Sequence, residues 1–385
     1  MKKIQMVDLQ SQYNKIKDVV DSSIISVMEN ASFINGPTVK SFQKNLEDYL
    51  GVKHVIPCAN GTDALQIAMM SLDLKPGDEV ITTNFTFAAT VEVISLLNLK
   101  PVLVDVELDS FNIDCNKIKK AITSKTKAIV PVHLFGQSAD MEKVMQIAKE
   151  YNLFVIEDNA QAIGATFQFS SGIKRKTGTI GDIGTTSFFP SKNLGCFGDG
   201  GALFTNNDDL AYKIRGIVNH GMYERYHHDV VGVNSRLDSV QAAVLDAKLP
   251  HLNSYNKSRQ TSAKKYTELL KGCDKIKTPM FSNGCIDVCS NCHCHVFHQY
   301  TIRILSDKRN DLSKYLSDLK IPFGIYYPIP LHRQKAYKNK DYDDEDFLNT
   351  NLLSSQVISL PMHSELTDEQ IEYISGKITK FLSQS

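Results

Sequence analysis

Seven short apolar runs of strand length, His54 to Cys58, Glu79 to Thr82, Pro101 to Val106, Ala128 to His133, Leu153 to Glu157, Thr185 to Phe189 and Ala202 to Thr205, alternate with helical stretches such as Ala64 to Leu72 and Met141 to Tyr151. A run that is apolar at successive positions has to be buried on both faces of its sheet, and helices between the strands supply the cover. The pattern predicts an α/β fold with helices on both faces of one sheet. Ahead of it, an amphipathic helix is expected from about Leu9 to Glu29, then a turn at Gly36-Pro37 and a second helix leading to Gly51.

Beyond Arg236 a long helix, interrupted at Pro250, should carry the chain out of this domain. From about Pro279 onward a strand (His298 to Leu305), two helices (Leu312 to Leu319, Asp368 to Leu382) and Pro-rich loops read as a smaller α+β domain. Thr367 and Gln370 have the spacing of a capping box for the last helix. The expected division is therefore residues 1–250 and residues 251–385.

In a doubly covered sheet, ligands collect outside the carboxyl ends of the strands. Gly61-Thr62-Asp63 follows the first run, Phe85-Thr86-Phe87 the second, Asp158 the fifth and Lys192 the sixth. Gly61 to Asp63 open a helix, where free backbone N–H groups and the Thr62 hydroxyl suit a phosphate; an ordinary helix cap is the alternative. Asp158 closes a buried strand and needs a cationic or hydrogen-bonding partner. A pyridinium N–H would serve, as would a helix cap or a salt bridge. Lys192 stands in Phe188-Phe189-Pro190-Ser191-Lys192-Asn193-Leu194-Gly195, among aromatic residues and glycines rather than on a charged helix face. A partly desolvated lysine loses proton affinity and becomes a nucleophile. An amine nucleophile and a carboxylate, each at a strand end, are the working minimum of a pyridoxal-phosphate (PLP) enzyme. The amine holds the cofactor's aldehyde, and the acid keeps its ring nitrogen protonated.

Composition points the same way. Lys plus Arg and Asp plus Glu stand at 43 each, so no net field favours nucleic acid or an anionic membrane. Met1-Lys2-Lys3 is followed by Gln, Asp and Ser rather than by a secretory apolar region, and no apolar run approaches the length of a membrane span. A cytoplasmic protein with its eight cysteines mostly reduced is expected.

With these residues assembled, the chain resembles the DegT/DnrJ/EryC1/StrS family of PLP-dependent sugar aminotransferases. Asn60 to Leu65, Thr86 to Thr90, Val132 to Gln137, Glu157 to Gln161, Ser187 to Gly201 and Gly232 to Asp238 carry the resemblance, which spans nearly the whole chain. It implies PLP fold type I, with a mostly parallel seven-stranded sheet and a smaller C-terminal domain. It implies that Lys192 anchors the cofactor and that Asp158 partners its ring nitrogen. Phe87 is expected to stack on the ring and Gln161 to touch its 3-hydroxyl side. Gly61, Thr62, Asp63 (through its backbone) and Ser187 would hold the phosphate. Asn234 would reach the phosphate of a neighbouring subunit, implying a homodimer with shared active sites.

The implied reaction moves the amino group of L-glutamate to a nucleotide-linked keto-sugar. Gly324-Ile325-Tyr326-Tyr327-Pro328-Ile329-Pro330-Leu331-His332 resembles the loop of members that aminate C3 of the hexose, with dTDP or UDP as the nucleotide. Tyr326, His332, Arg236 and His220 are the expected substrate contacts, although Tyr326 stands where such members often carry His. Amination at C4 is the main competing expectation. A cysteine desulfurase on the same fold, with Cys196 as its thiol, and a non-catalytic PLP-binding regulator are more distant alternatives.

Cys285, Cys289, Cys292 and Cys294, interleaved with His293 and His295, have a spacing that imitates a zinc or iron–sulfur site. Two separate Cys-x-x-Cys pairs are absent, so free thiols in a local hairpin are expected, with no metal.

Overall fold

The computed structural model describes residues 3–279, 294–339 and 341–384. Seven strands form the main sheet: β1 (His54–Cys58), β2 (Glu79–Thr83), β3 (Lys100–Val104), β4 (Thr126–Val130), β5 (Phe154–Asp158), and, after a small ribbon of β6 (Thr166–Gln168) and β7 (Lys174–Lys176), β8 (Ile183–Ser187) and β9 (Gly201–Thr205). Their spatial order is β1-β9-β8-β5-β4-β2-β3. All neighbours run parallel except β9, which is antiparallel to both β1 and β8.

Burial follows from strand periodicity. Along β5, Val155 packs into one apolar cluster with Ile81, Val144 and Ile147, while Ile156 packs into another with Leu65, Ala68 and Ile94. Successive side chains alternate faces, so each face of the sheet meets its own helical layer. One layer contains Gly61–Ser71, Ala89–Leu96 and Asp208–Ile217; the other contains Cys115–Ala121 and Met141–Tyr151.

The N-terminal helix spans Leu9–Glu29, and the next, Pro37–Leu50, ends at Gly51 with φ +68°. A glycine there lets the chain turn left-handed without a Cβ penalty. The sixth strand begins two residues earlier than the apolar run suggested. Gly184 lies inside it because a Cβ there would stand 1.9 Å from the Gly178 carbonyl oxygen, so the residue marks close backbone approach rather than a turn.

At Pro250 the helix is interrupted as expected: Ser239–Lys248 leads through a 3-10 turn, Leu249–His251, into Leu252–Leu270. A further ribbon pairs β10 (Met222–Glu224) with β11 (His227–His228). The C-terminal body has a three-stranded antiparallel sheet of β12 (Ile276–Lys277), β13 (Tyr300–Ile304) and β14 (Val357–Leu360). Leu252–Leu270, Arg309–Asp318 and Asp368–Ser383 complete it, the last opened by the Thr367/Gln370 capping box. Ile4 packs into this same core, so the extreme N-terminus belongs to the smaller body rather than to the larger one.

Cys285, Cys289, Cys292 and His293 of the cysteine cluster lie outside the described residues. Among the described residues no three His, Cys, Asp or Glu side chains converge as a metal site, and no helix is long and apolar enough to cross a membrane.

Candidate active site

A cleft of about 630 Å³ opens at the carboxyl ends of β1, β2, β4, β5 and β8, and the C-terminal body closes its far side with His298, Gln299, Tyr326 and Tyr327. Lys192 and Asp158 both line it.

Glu157 and Asp158 are neighbours in sequence with opposite fates, because strand periodicity sends them to opposite faces. Asp158 shares the face of Ile156 and lies below the helix Gly61–Ser71. Its Oδ2 accepts from the Thr90 hydroxyl at 2.8 Å and its Oδ1 from the Ala160 N–H at 3.2 Å. Glu157 points away from the cleft and is fully buried. It accepts from the N–H groups of Gly178, Ile180 and Gly181 at 2.6 to 2.8 Å and from His133 Nε2 at 2.9 Å. His133 Nδ1 accepts from the Ala139 N–H, which leaves Nε2 to donate to Glu157. Burial pushes the Glu157 carboxyl up, but these donors outweigh it and hold it below its ordinary range.

Lys192 sits in a turn after β8 in which its own N–H donates to the Phe189 carbonyl. Burial lowers its amine to about 8, opposed by the Asp158 carboxylate. About a tenth of it is therefore an unprotonated nucleophile at pH 7, far more than for a free lysine. The turn is clamped from behind: Asn193 donates to Asn256 Oδ1 and to the Val296 carbonyl, and buried Lys248 donates to the Gly195 carbonyl at 2.8 Å. Cys196 bonds the Phe188 and Gly198 carbonyls, and burial raises its thiol to about 11. Such a thiol is a poor nucleophile, and Cys196 does not line the cleft.

At the other end, the helix Gly61–Ser71 directs its first amides into the cleft. A Cβ on Gly61 would come 2.7 Å from Ser187 Cβ, and one on Gly201 would come 2.4 Å from the Asn60 carbonyl carbon. The two glycines let the helix terminus seat directly on the ends of β8 and β9. Asn60 Oδ1 accepts from the Asp63 N–H at 2.8 Å. This corrects one expectation: the Asp63 amide is consumed by the cap and Asp63 does not line the cleft, leaving Gly61 and Thr62 amides with the Thr62 and Ser187 hydroxyls. A phosphate fits this cradle.

Phe87 is 58% exposed over the cleft and lies 6.4 Å from the Tyr327 ring, centroid to centroid. Gln161 is fixed at both ends: Oε1 accepts from the Phe135 N–H at 2.7 Å, and Nε2 donates to the Tyr327 hydroxyl at 3.2 Å. Phe87, Gln161, Asp158 and Lys192 would together suit a flat aromatic ring that carries a basic nitrogen and an aldehyde.

The expected substrate residues divide. Tyr326 lines the cleft, its ring seated where a Cβ on Gly324 would stand. His332 does not. It is buried, its Nδ1 is 2.7 Å from Asn84 Nδ2, its Nε2 bonds Asp344 at 2.9 Å, and its N–H donates to Asn84 Oδ1. With both ring nitrogens used inside the fold, it pins the Tyr326 loop to the residue following β2 instead of meeting a ligand. Asn234, Arg236 and His220 also lie outside the lining of this chain's cleft; Arg236 bonds Asn219 and His220 is exposed.

The motifs had not singled out Thr90 as the support of Asp158, Tyr327 as the support of Gln161, or His298. The first two stood within quoted motifs, where only contact could tell which position mattered; His298 stood at the head of an ordinary strand.

The sequence model of the DegT/DnrJ/EryC1/StrS aminotransferase family matches residues 14–379. Over 98% of this chain, a pleiotropic regulatory protein of Geobacillus stearothermophilus is 43% identical (98% of its own length), and a UDP-2-acetamido-2-deoxy-3-oxo-D-glucuronate aminotransferase of Pseudomonas aeruginosa is 42% identical (99% of its own length). The crystal structure of NtdA from Bacillus subtilis with bound cofactor PMP superposes with a TM-score of 0.89 at 30% identity, covering all of this chain and 86% of that one.

Proposed function

The chain belongs to the DegT/DnrJ/EryC1/StrS aminotransferase family, and on that premise we propose that it moves the amino group of L-glutamate to the C3 keto group of a nucleotide sugar, with pyridoxal phosphate as cofactor. The observation that carries this reading is the pairing, across one cleft, of a desolvated Lys192 amine with an Asp158 carboxylate held by Thr90.

Bound pyridoxal phosphate supplies an electron sink and carries the amino group between the two substrates. Lys192 anchors it through its amine, Asp158 keeps its ring nitrogen protonated, and the Gly61 and Thr62 amides take its phosphate with the Thr62 and Ser187 hydroxyls. Phe87 covers the ring. Gln161 retains a second Nε2 hydrogen for the 3-hydroxyl side. Lys192 Nζ, once freed, removes and returns the proton at the substrate carbon, and a depressed proton affinity suits that work near neutral pH.

Among the described residues lining the cleft, Lys192 is the only lysine or arginine, against Asp158 and Asp199. The cofactor phosphate, glutamate and a nucleotide diphosphate are all anions. That imbalance supports a homodimer in which Asn234 and Arg236, unused in their own chain's cleft, complete the partner's site. C3 specificity rests on the Tyr326 loop and on the 42% identical relative whose name is that of a UDP-3-oxo-sugar enzyme; the cytoplasm is where nucleotide sugars and glutamate meet.

The test is to incubate the protein with glutamate and UDP- and dTDP-linked 3-keto and 4-keto sugars made in situ, following 2-oxoglutarate and the product by mass and NMR. Amination at C3 supports the proposal. Amination only at C4 would retain the cofactor chemistry and refute the reading of the loop, and no transfer from any sugar would favour a regulatory role like that in the name of the Geobacillus relative.

A further inference from the structure

His298 is 6% exposed, lines the cleft, and has no hydrogen-bond partner at Nδ1. Its Nε2 has only a long 3.5 Å approach to the Gln299 side-chain amide. A buried imidazole nitrogen left unpaired costs free energy unless a ligand uses it. Behind it stands Arg259, 3% exposed, whose Nη1 donates to the carbonyls of Phe297, His298 and Met362 at 3.1, 3.3 and 2.9 Å and whose Nε has no partner. Among the described residues no carboxylate pairs with this guanidinium.

Burial above all, with the cations Lys192 and Arg259 adding to it, lowers the proton affinity of the imidazole and holds it neutral. At the cleft wall His298 therefore carries an unpaired imidazole nitrogen that is itself covered, backed by a desolvated, uncompensated positive charge, so a ligand in the cleft reaches it by a small turn of the ring. A carboxylate gains from both features; a sugar hydroxyl would gain from the hydrogen bond alone. The α-carboxylate of an amino donor is one bond from the carbon whose amine must reach the cofactor at Lys192, so it belongs in the same cleft as that lysine, which His298 also lines.

We infer that His298 is the binding residue for the α-carboxylate of the amino donor, received at Nδ1–H. The inference rests on the aminotransferase reading with glutamate as donor.

The test uses cofactor-loaded enzyme titrated calorimetrically with glutarate, a dicarboxylate that cannot react, and in parallel with a nucleotide sugar. His298→Phe should weaken glutarate by about tenfold or more, the loss of one hydrogen bond to a charged group, and leave nucleotide-sugar affinity unchanged. Asn places an amide N–H near the position of Nδ1 and Gln places one near Nε2. His298→Asn should therefore keep glutarate binding within about threefold of wild type while His298→Gln binds as poorly as Phe. This pair decides the matter if the Phe variant does not fold. Unchanged glutarate affinity in all three variants, or a loss confined to the nucleotide sugar, overturns the inference. A wild-type enzyme that takes no amino group from glutamate overturns instead the donor assignment beneath it.

Discussion

Thr90 donates its hydroxyl to Asp158 Oδ2 at 2.8 Å, tying the helix that follows Phe87 to the last residue of β5. The bond aims the carboxylate, as a partner for a ring nitrogen must be aimed. Asp158→Asn should keep the fold and weak cofactor binding but lower kcat/KM by about a hundredfold or more, the scale of losing a preorganised electrostatic contact. Thr90→Val should cost about tenfold or less, since one hydrogen bond is lost and the charge remains. Steady-state kinetics on both, with cofactor content measured by absorbance, checks the order; an Asn variant as active as wild type would require a different partner for the ring nitrogen.

Lys192→Ala should abolish covalent retention of the cofactor and turnover while the melting temperature holds or rises. The sign follows from linkage: an amine lowered to about 8 in the folded chain binds fewer protons than in the unfolded chain between that value and its ordinary one. It therefore destabilises the fold below about pH 8, and the penalty is relieved as pH rises through that window. In cofactor-free protein, the rate of covalent capture of added pyridoxal phosphate should rise with pH through a midpoint near 8 and then level off; a midpoint near that of a free lysine would contradict the desolvated amine.

Gly61→Ala tests the phosphate cradle. The added methyl would stand 2.7 Å from Ser187 Cβ, too close for any real Cβ, so the helix terminus must lift away from the end of β8. A stability loss of about 1 to 3 kcal/mol is expected, with cofactor affinity falling further than stability because the Gly61 and Thr62 amides move with the helix. Thermal melting and fluorescence titration with pyridoxal phosphate separate the two; cofactor affinity equal to wild type would exclude this terminus as the phosphate site.

His332→Phe should act through the Tyr326 loop rather than through a lost ligand contact. It leaves the Asn84 side chain without its ring partner in a buried place, a cost of about 1 to 3 kcal/mol. The KM for the sugar should rise with little change in the KM for glutamate, and Asn84→Ala should reproduce the effect. If His332→Phe abolished sugar binding while Asn84→Ala left it intact, His332 would be a direct contact after all.

How much was legible in the chain divides by the range of the interactions. The seven strands and both N-terminal helices were readable because periodicity and burial are local consequences of side-chain order, and the place of Lys192 and Asp158 in one cleft was readable because their motifs stand at strand ends, where such folds collect ligands. Asp63 and His332 were misread for one shared reason: sequence shows that a group can bond, not whether a neighbour has already taken it. Asn60 claims the Asp63 amide, and Asn84 with Asp344 claims the His332 ring. The β8 boundary moved because Gly184 answers to Gly178 across a close contact rather than to its own neighbours.

The sequence by itself determined the layered architecture and the strand ends at which Lys192 and Asp158 stand. Only the tertiary structure decided which face each of the adjacent carboxylates Glu157 and Asp158 would serve, and which buried nitrogens remained unspent. A hydrogen bond is assigned by proximity between residues far apart in the chain, and His298 and Arg259, which lie 39 positions apart, meet behind the Lys192 cleft solely because the C-terminal body folds back across it.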